Sequence, residues 1–327
     1  MYSKKVLCFG ELLVRYQSLA EDGLFQEKKA TLQCYPGGSE ANVAVALAKL
    51  QVPCAYMTAM PDTMMTRGIR RLLDNYGIDT HPILLQGERL GGYYLLSANG
   101  LTKGEVIYDR KYSAFSLLKP QEIDWDTALE NIDWFHFSAL TPALSADMAR
   151  VCLEALQAAK RKNITISVDL NYRNRLWQYG KLPVEVMPEM LQYADVIMGN
   201  IWAANTMMDT PLRDGLDRNT PKEELVQAST ESANAIFAAY PNCKHVANTF
   251  RFMDSATHNL FFGAYHQPNA VAISQTEETY AVVDRIGSGD AFMAGLIKGI
   301  RAGYNPQEIV DIATKTGFDK LFIAGDF

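Results

Sequence analysis

The sequence predicts an α/β protein in which a mostly parallel sheet is covered by helices on both faces. The main observation is a regular alternation of strand-like and helix-like segments through the second half of the chain, beginning with a strand over 135–140, a helix over 145–161 and a strand over 164–170. Such alternation is typical of parallel strands joined by helical crossovers. The second observation is a group of strand-like pieces between residues 81 and 112 with no long helix between them, which predicts a small antiparallel sheet.

The remaining elements follow from local patterns of apolar residues and from turn residues at their ends. Residues 6–10 form a short apolar run that ends at Gly10, which is typical of a buried first strand. Asn305 and Pro306 together begin a last helix, as a capping residue and a first-turn proline. Further helices are predicted over residues 41–50, 63–76, 184–193, 222–240 and 290–301. Further strands are predicted over residues 54–59, 81–85, 92–97, 105–110, 195–198, 245–249 and 280–283.

Composition excludes several classes of protein. The chain has 327 residues with 48% hydrophobic and 21% charged residues, which is ordinary for a globular protein. Its formal net charge of −6 argues against a nucleic-acid partner, and it has no run of 18 apolar residues that would span a membrane. Its five cysteines are scattered and odd in number, which indicates reduced thiols. We therefore expect one domain over residues 1–327, located in the cytoplasm.

The stretch over 283–292 carries the strongest indication of chemistry. Gly287, Ser288 and Gly289 lie between a predicted strand and a predicted helix. Glycines let the backbone approach a ligand closely, and a helix N-terminus offers free N–H groups to an anion such as phosphate. Asp290 then has two interpretations: it caps the helix, or it removes a proton from an alcohol that attacks the phosphate.

Other unusual residues follow the predicted strands, where ligands of open α/β sheets bind. They are Gly37, Gly38 and Asn42, the segment 169–173, and Asn200. Each has an ordinary structural alternative, such as tight packing for the glycines or a solvated position for Arg173. His136, in an apolar strand, is interpreted as a core residue. Their convergence with Asp290 at one edge of the sheet favours a phosphoryl-transfer site.

Two motifs carry a resemblance to the ribokinase-type (PfkB) carbohydrate kinases that covers nearly the whole chain. Residues 37–44, GGSEANVA, resemble the first signature of that family, and residues 284–290 resemble the second, usually D-T-x-G-A-G-D. Arg285 replaces the usual Thr and Ser288 the usual Ala. Segments 106–114, 141–144 and 169–177 resemble the subgroup of kinases that acts on 2-keto-3-deoxygluconate.

The resemblance implies a role for each matching residue. Asp290 would be the catalytic base, and an anion hole would be formed by Gly287, Ser288, Gly289 and Asp290. The sugar acid would be bound by Gly37, Gly38, Asn42, Tyr94, Tyr108, Arg110 and Arg173. The nucleotide would contact Asn200, Thr249, Arg251 and Asp284. The cofactors implied are ATP and Mg²⁺, with no metal ligand contributed directly by the protein.

The family also has a lid, which the resemblance assigns to segments of about 14–36 and 89–112. In relatives this lid often pairs with that of a second subunit, so a homodimer or larger homo-oligomer is expected. One departure matters for function: the N-x-x-E motif of the family, linked to the magnesium and phosphate network, is here Asn200-Ile201-Trp202-Ala203. Two alternatives therefore stay open, a kinase for a neutral sugar such as fructose or ribose, and a catalytically silent protein that binds sugar or nucleotide.

Overall fold

The computed structural model describes residues 4–18, 28–96 and 105–327. The strands in these ranges are β1 (Lys5–Phe9), β2 (Leu13–Ser18), β3 (Gln33–Gly37), β4 (Cys54–Met57), β5 (Ala59–Met60), β6 (Leu84–Leu85), β7 (Gly91–Leu96), β8 (Glu105–Asp109), β9 (Ile132–Ser138), β10 (Thr165–Asp169), β11 (Val196–Met198), β12 (His245–Phe252), β13 (Asn259–Gln267), β14 (Ala270–Ile273) and β15 (Glu277–Thr279). The helices are α1 (Ser39–Lys49), α2 (Met64–Asn75), α3 (Trp125–Ala128), α4 (Ala146–Arg161), α5 (Pro183–Leu191), α6 (Ile201–Met208), α7 (Lys222–Ala239), α8 (Ser288–Arg301) and α9 (Pro306–Asp319), followed by a 3₁₀ turn (Lys320–Phe322).

The central sheet confirms the predicted α/β class. Its order is β14-β13-β12-β11-β10-β9-β1-β4, with β15 paired to β13. The strands from β12 to β4 run parallel, and β13, β14 and β15 are antiparallel additions at one edge. The carboxyl ends of the parallel strands therefore lie along one edge of the sheet, where the site is found.

Helices cover both faces of this sheet because alternate strand residues point to opposite sides. In β1, Leu7 and Phe9 belong to an apolar layer shared with α4, α5, α6 and α7. Val6 and Cys8 belong to a second layer shared with α1, α2, α8 and α9. In the described ranges none of the helices is both long enough and apolar enough to cross a bilayer.

A separate four-stranded sheet forms the lid, in the order β3-β2-β7-β8. It coincides with the predicted lid segments to within one residue, at Leu13 and Gly37, although residues 19–27 and 97–104 of those segments fall outside the described residues. The predicted antiparallel arrangement is only partly right, because β2 and β7 pair in parallel. The strand predicted over 81–85 is reduced to β6, which pairs with β5 instead of joining the lid.

Two further local predictions need correction. Residues 280–283 do not form a strand, because the N–H groups of Val282 and Val283 donate to the carbonyl oxygens of Thr257, in a loop, and Leu321, in the 3₁₀ turn. The strand in this region is β15, a few residues earlier. β12 extends to Phe252, past its predicted end, because its residues 246–252 pair with β13, a strand absent from the prediction.

Candidate active site

The N-terminus of α8 lies at the carboxyl-end edge of the sheet and begins with a tight glycine turn. Gly287 is the N-cap residue, with φ of 84°, in the left-handed region that favours glycine. A Cβ atom at Gly287 would lie 2.3 Å from the carbonyl oxygen of Asp326, whereas a Cβ atom at Gly289 would meet no atom within 4 Å. The first-turn N–H groups have no partner within the helix. The turn therefore offers N–H donors beside open space, as an anion site requires.

Asp290 is the third residue of α8, and its side chain does not cap the helix. One carboxylate oxygen accepts a hydrogen bond of 2.7 Å from Ser39 Oγ, and the other accepts one of 2.7 Å from Asn42 Nδ2. The helix-cap interpretation of Asp290 is therefore wrong. The structure brings the two predicted signatures together, since Ser39 and Asn42 lie on α1 and Asp290 on α8.

The surroundings of Asp290 shift its proton affinity. Burial raises the pKa of Asp290 above its ordinary value, while the hydrogen bonds from Ser39 and Asn42 and the charges of Arg173 and Lys320 act in the opposite direction. A carboxylate with a raised pKa is a stronger proton acceptor near neutral pH. This side chain is suited to act as a general base.

Two other buried carboxyl groups lie near Asp290. Burial raises the pKa of Glu40 and that of Asp169 to about 7. Glu40 accepts a 2.8 Å hydrogen bond from the Ser138 N–H group, which ties α1 to β9. Asp169 accepts a hydrogen bond from the Asn171 N–H group, and Asn171 Nδ2 in turn donates to Ser39 Oγ over 3.2 Å. These contacts hold in place the serine that orients Asp290.

Basic side chains lie near the glycine turn over residues 287–290, the candidate anion-binding turn. Arg251 donates a 2.7 Å hydrogen bond to Ser288 Oγ. Arg251 is an exposed residue. Neighbouring protein atoms partly desolvate its guanidinium group, and this desolvation, followed by the charges of Arg173 and Arg285, lowers the pKa of Arg251. Like charges this close repel one another. An anion bound at the turn would relieve that repulsion.

The glycines of the first signature permit close approach between segments. Gly38 is the N-cap of α1 with φ of 127°, and a Cβ atom there would lie 2.2 Å from the carbonyl oxygen of Glu11. A Cβ atom at Gly37 would lie 2.1 Å from the Asp326 carboxylate. Both glycines therefore serve packing between the lid, α1 and the C-terminal turn, alongside any role in holding sugar hydroxyls.

The lid contributes Tyr108 to a cleft that opens toward the loop after β10. This cleft is lined by Glu105, Val106, Tyr108, Arg173, Asn174 and Arg175. Arg173 is exposed in it, and its Nη1 donates to the Tyr172 carbonyl oxygen. Since the charge of Arg173 also acts on Asp290, this arginine connects the cleft to the candidate base.

Tyr94 does not face this region, contrary to the prediction. Its ring stacks on Tyr16 with centroids 5.1 Å apart, on one face of the lid sheet. Tyr93 lies on the opposite face, where its hydroxyl donates to Asp326 over 3.3 Å. Tyr108 is opposite Tyr93 in the register, so it shares the face toward the body of the protein. The tyrosine on the face toward the body of the protein is therefore Tyr93 instead of Tyr94, because a shift of one residue along a strand reverses the face.

Arg110 is also placed differently from the prediction. Its Nε atom donates a 2.6 Å hydrogen bond to Glu11, and both residues are almost fully buried. Glu11 accepts a second hydrogen bond from Ser113 Oγ. Arg110 is therefore paired within the protein. The arginines exposed to the cleft are Arg173 and Arg175, and Arg175 donates to the Val106 carbonyl oxygen over 2.8 Å.

The structure places the four residues predicted to bind the nucleotide in different environments. Arg251 lies at the anion-binding turn, and Thr249 is half-buried two residues before it in β12. The side chain of Asn200 caps α6 by accepting a 2.8 Å hydrogen bond from the Ala203 N–H group. Asp284 is buried and accepts two hydrogen bonds from Arg15 on β2, of 3.2 and 2.6 Å. Asp284 thus joins the turn to the lid, and its assignment as a nucleotide contact is corrected.

Comparison with known proteins identifies the class. A family model described as pfkB family carbohydrate kinase matches residues 3–318, and the chain belongs to that family of sugar kinases. It is 25% identical over 326 residues to 2-dehydro-3-deoxygalactonokinase of Haloferax volcanii, covering 98% of this chain and 92% of that protein. It is 24% identical over 319 residues to 2-dehydro-3-deoxygluconokinase of Bacillus subtilis, covering 97% and 90%.

Solved structures agree with this assignment. The 2-dehydro-3-deoxygluconokinase of Thermotoga maritima is 31% identical, with a TM-score of 0.88 and coverage of 100% of this chain and 95% of that one. A PfkB family carbohydrate kinase of Listeria grayi is 30% identical, with a TM-score of 0.86 and coverage of 99% and 96%. The ribokinase-like fold predicted from the two signatures is confirmed.

Proposed function

We propose that this sugar kinase transfers a phosphoryl group from ATP to the terminal hydroxyl of 2-keto-3-deoxygluconate, giving the 6-phosphate. The observation that carries the proposal is the position of Arg173, which lies in the Tyr108 cleft and acts electrostatically on Asp290. Three of the relatives described above are named as kinases of 2-dehydro-3-deoxy sugar acids, another name for 2-keto-3-deoxy sugar acids. Their names support an acidic open-chain substrate.

Arg173 is proposed to bind the substrate carboxylate. A guanidinium group can make two parallel hydrogen bonds to a carboxylate, which a neutral sugar cannot accept in the same way. Arg110 is not equivalent, because its Nε atom is already engaged by Glu11. The role of Arg110 is then to hold Glu11 and the end of β8, while Tyr108 forms the wall of the cleft. Gly37, Gly38 and Asn42 remain proposed contacts of the sugar hydroxyls.

The transfer step is proposed to use Asp290 and the first turn of α8. Asp290 takes the proton from the attacking hydroxyl, and the N–H groups of residues 287–290 stabilise the charge on the transferring phosphoryl group. Arg251 adds positive charge beside Ser288. Ser39 and Asn42 hold the Asp290 carboxylate in place through one hydrogen bond to each of its oxygens.

Magnesium is proposed to enter as part of the MgATP substrate. Among the described residues, no group of three or more His, Cys, Asp or Glu side chains could hold a metal ion. The Asn200 side chain is occupied as a helix cap, and Ala203, at the position of the family's glutamate, is buried and apolar. The part of the chain that the structure describes therefore offers no metal site of its own. Magnesium commonly keeps several waters and is bound through substrate phosphates.

A second copy of the chain is proposed to pair through the lid. The face of the lid sheet that carries Tyr16 and Tyr94 also carries Ile107, which is 42% exposed. Aromatic and aliphatic side chains at a surface favour burial against a partner. Sedimentation of the parent and of an Ile107→Lys variant tests this, since only the variant should shift toward a monomer; two identical profiles would contradict it.

The test of function is a panel of ATP turnover rates. The substrates are 2-keto-3-deoxygluconate, its galactonate epimer, fructose and ribose, each assayed with the same MgATP concentration. The proposal predicts the highest kcat/KM for a keto acid. Preference for fructose or ribose would establish a neutral-sugar kinase. Sugar binding by calorimetry without turnover of any substrate would establish the silent alternative.

A further inference from the structure

Lys320 is a buried lysine in the 3₁₀ turn that follows α9. It is 5% exposed, and its ammonium group donates to the carbonyl oxygens of Ile323 over 3.0 Å and Gly325 over 2.9 Å. A buried ammonium group is costly unless it is paired with hydrogen-bond acceptors or opposite charges. Lys320 thus closes residues 323–326 into a compact turn around its own charge.

This C-terminal turn packs directly against the anion-binding turn. A Cβ atom at Gly287 would lie 3.3 Å from Lys320 Cε and 2.3 Å from the Asp326 carbonyl oxygen. The N–H groups of Val283 and Asp284 donate to the carbonyl oxygen of Leu321. The charge of Lys320 also acts against the burial that raises the pKa of Asp290. The lysine is therefore close enough to influence both the position and the electrostatics of the transfer site.

The neighbouring charges form a cluster that joins three parts of the protein. Arg15, on the lid strand β2, contacts Asp284 over 2.6 Å and Asp326 over 3.0 Å. The Gly325 N–H group donates to Asp284 over 3.1 Å. Lys320 adds the second cation of the cluster, and the Asp284 and Asp326 charges both favour its protonated form. Two cations and two carboxylates thus link the lid, the anion-binding turn and the C-terminal turn.

We propose that Lys320 is a positioning residue for phosphoryl transfer, which holds the C-terminal turn against Gly287 and places a positive charge behind the anion hole. The proposal rests on the function proposed above only in taking the N-terminus of α8 as the place of the transferring phosphoryl group. It does not depend on which sugar is the substrate. Preorganised positive charge near that group lowers the barrier for transfer more than it strengthens substrate binding.

The pH dependence of kcat offers a signature that a purely structural role would not show. Burial lowers the pKa of Lys320 to about 8. The charges of Asp284 and Asp326 act to raise this pKa, and those of Arg15 and Lys49 act to lower it. The ammonium charge is present below that pH and is lost as pH rises through it, so kcat should fall on the alkaline side. Burial raises the pKa of Asp326 to about 7, so protonation of that carboxyl group would affect kcat on the acidic side instead.

The first experiment replaces Lys320 by alanine and attempts to restore the missing group. Lys320→Ala should lower kcat at least about tenfold while KM for the sugar changes less than about threefold. Added n-propylammonium, which matches the deleted atoms, should restore part of kcat, whereas n-propanol, of the same shape without charge, should not. Lys315→Ala, at an exposed lysine of α9, is the matched control and should behave as the parent does. A kcat of Lys320→Ala within about twofold of the parent, or equal rescue by both additives, would overturn the proposal.

A second variant covers the case in which Lys320→Ala does not fold. Lys320→Arg keeps a charge that does not titrate below pH 12, so the alkaline fall in kcat should be absent from this variant and present in the parent. The same alkaline limb in both proteins would refute the role of Lys320. Both experiments use whichever sugar gives the highest turnover in the substrate panel. Failure of the keto-acid assignment is therefore visible separately, as a preference for a neutral sugar.

Discussion

Two glycines separated by one residue should respond oppositely to the same substitution by alanine. At Gly289 a methyl group would meet no atom within 4 Å, so the space in front of the helix can accept it. Alanine also favours helical structure over glycine by about 0.5–1 kcal/mol. At Gly287, φ is 84° and the methyl group would lie 2.3 Å from the Asp326 carbonyl oxygen. The left-handed conformation alone costs a non-glycine residue about 1–2 kcal/mol, before the clash is relieved.

These values predict a separation of stability from activity. Gly289→Ala should melt at or slightly above the temperature of the parent, yet lose activity because its methyl group occupies space next to the transferring phosphoryl group. Loss of one stabilising contact in such a site lowers kcat by about 10²-fold. Gly287→Ala should lose both stability and activity, since it displaces the C-terminal turn.

Scanning calorimetry and initial rates at saturating sugar and MgATP measure both quantities. Gly303→Ala, at a left-handed glycine with open space around it outside the site, is the control for backbone strain alone. It should lower the melting temperature and leave kcat unchanged. Full activity in Gly289→Ala would refute the reasoning, because the space beside that residue would then not be the phosphoryl site.

The remaining predictions concern the base, the arginines and the missing glutamate. Asp290→Asn should lower kcat at least about 10²-fold with a small change in melting temperature. In the parent, kcat/KM should fall as pH is lowered toward the raised pKa of Asp290. Near-normal turnover of the variant would exclude Asp290 as the general base. Arg173→Met should raise KM for the keto acid by the equivalent of about 1.5–3 kcal/mol without loss of stability. Arg110→Met should instead lower the free energy of unfolding by about 3–5 kcal/mol, because Glu11 is left buried without its cation. Urea unfolding and initial rates of both variants distinguish the two effects, and equal stability of the two variants would contradict the burial argument. Ala203→Glu should lower the melting temperature without reducing the magnesium requirement, because position 203 is buried; a magnesium titration showing improved turnover would contradict this.

Sequence patterns predicted what depends on local periodicity and contiguous motifs. The parallel sheet, the helices on its two faces and the glycine turn before α8 all follow from apolar spacing and from glycine positions. The order of the strands implied that the two signatures meet. Ser39, which donates a hydrogen bond to Asp290, lies in the first signature but had no predicted role. The signal that could have found it is its place between Gly38 and Asn42.

Other features depend on how distant segments dock. Adjacent residues of a strand point to opposite faces of the sheet, so either Tyr93 or Tyr94 could face the body of the protein. The sequence does not decide between them, and the register of β7 with β8 does. The pairing of Arg110 with Glu11 joins residues far apart in the chain, and periodicity carries no information about it. Lys320 and Asp326 follow the last predicted helix in a short segment with no recognisable motif, so their approach to Gly287 emerges only in the folded structure.

The most direct test of the account compares two substrates that differ only at the carboxylate. 2-Keto-3-deoxygluconate and 3-deoxyfructose both have the ketone and the terminal hydroxyl, and both lack the hydroxyl next to the ketone. The first carries a carboxylate where the second carries a hydroxymethyl group. If Arg173 binds that carboxylate, kcat/KM of the parent should favour the acid by about 10- to 150-fold, the equivalent of one charged hydrogen bond. In Arg173→Met this ratio should fall close to one. Equal kcat/KM values for the two substrates in the parent, or a preference for 3-deoxyfructose, would contradict the proposed recognition of a sugar acid.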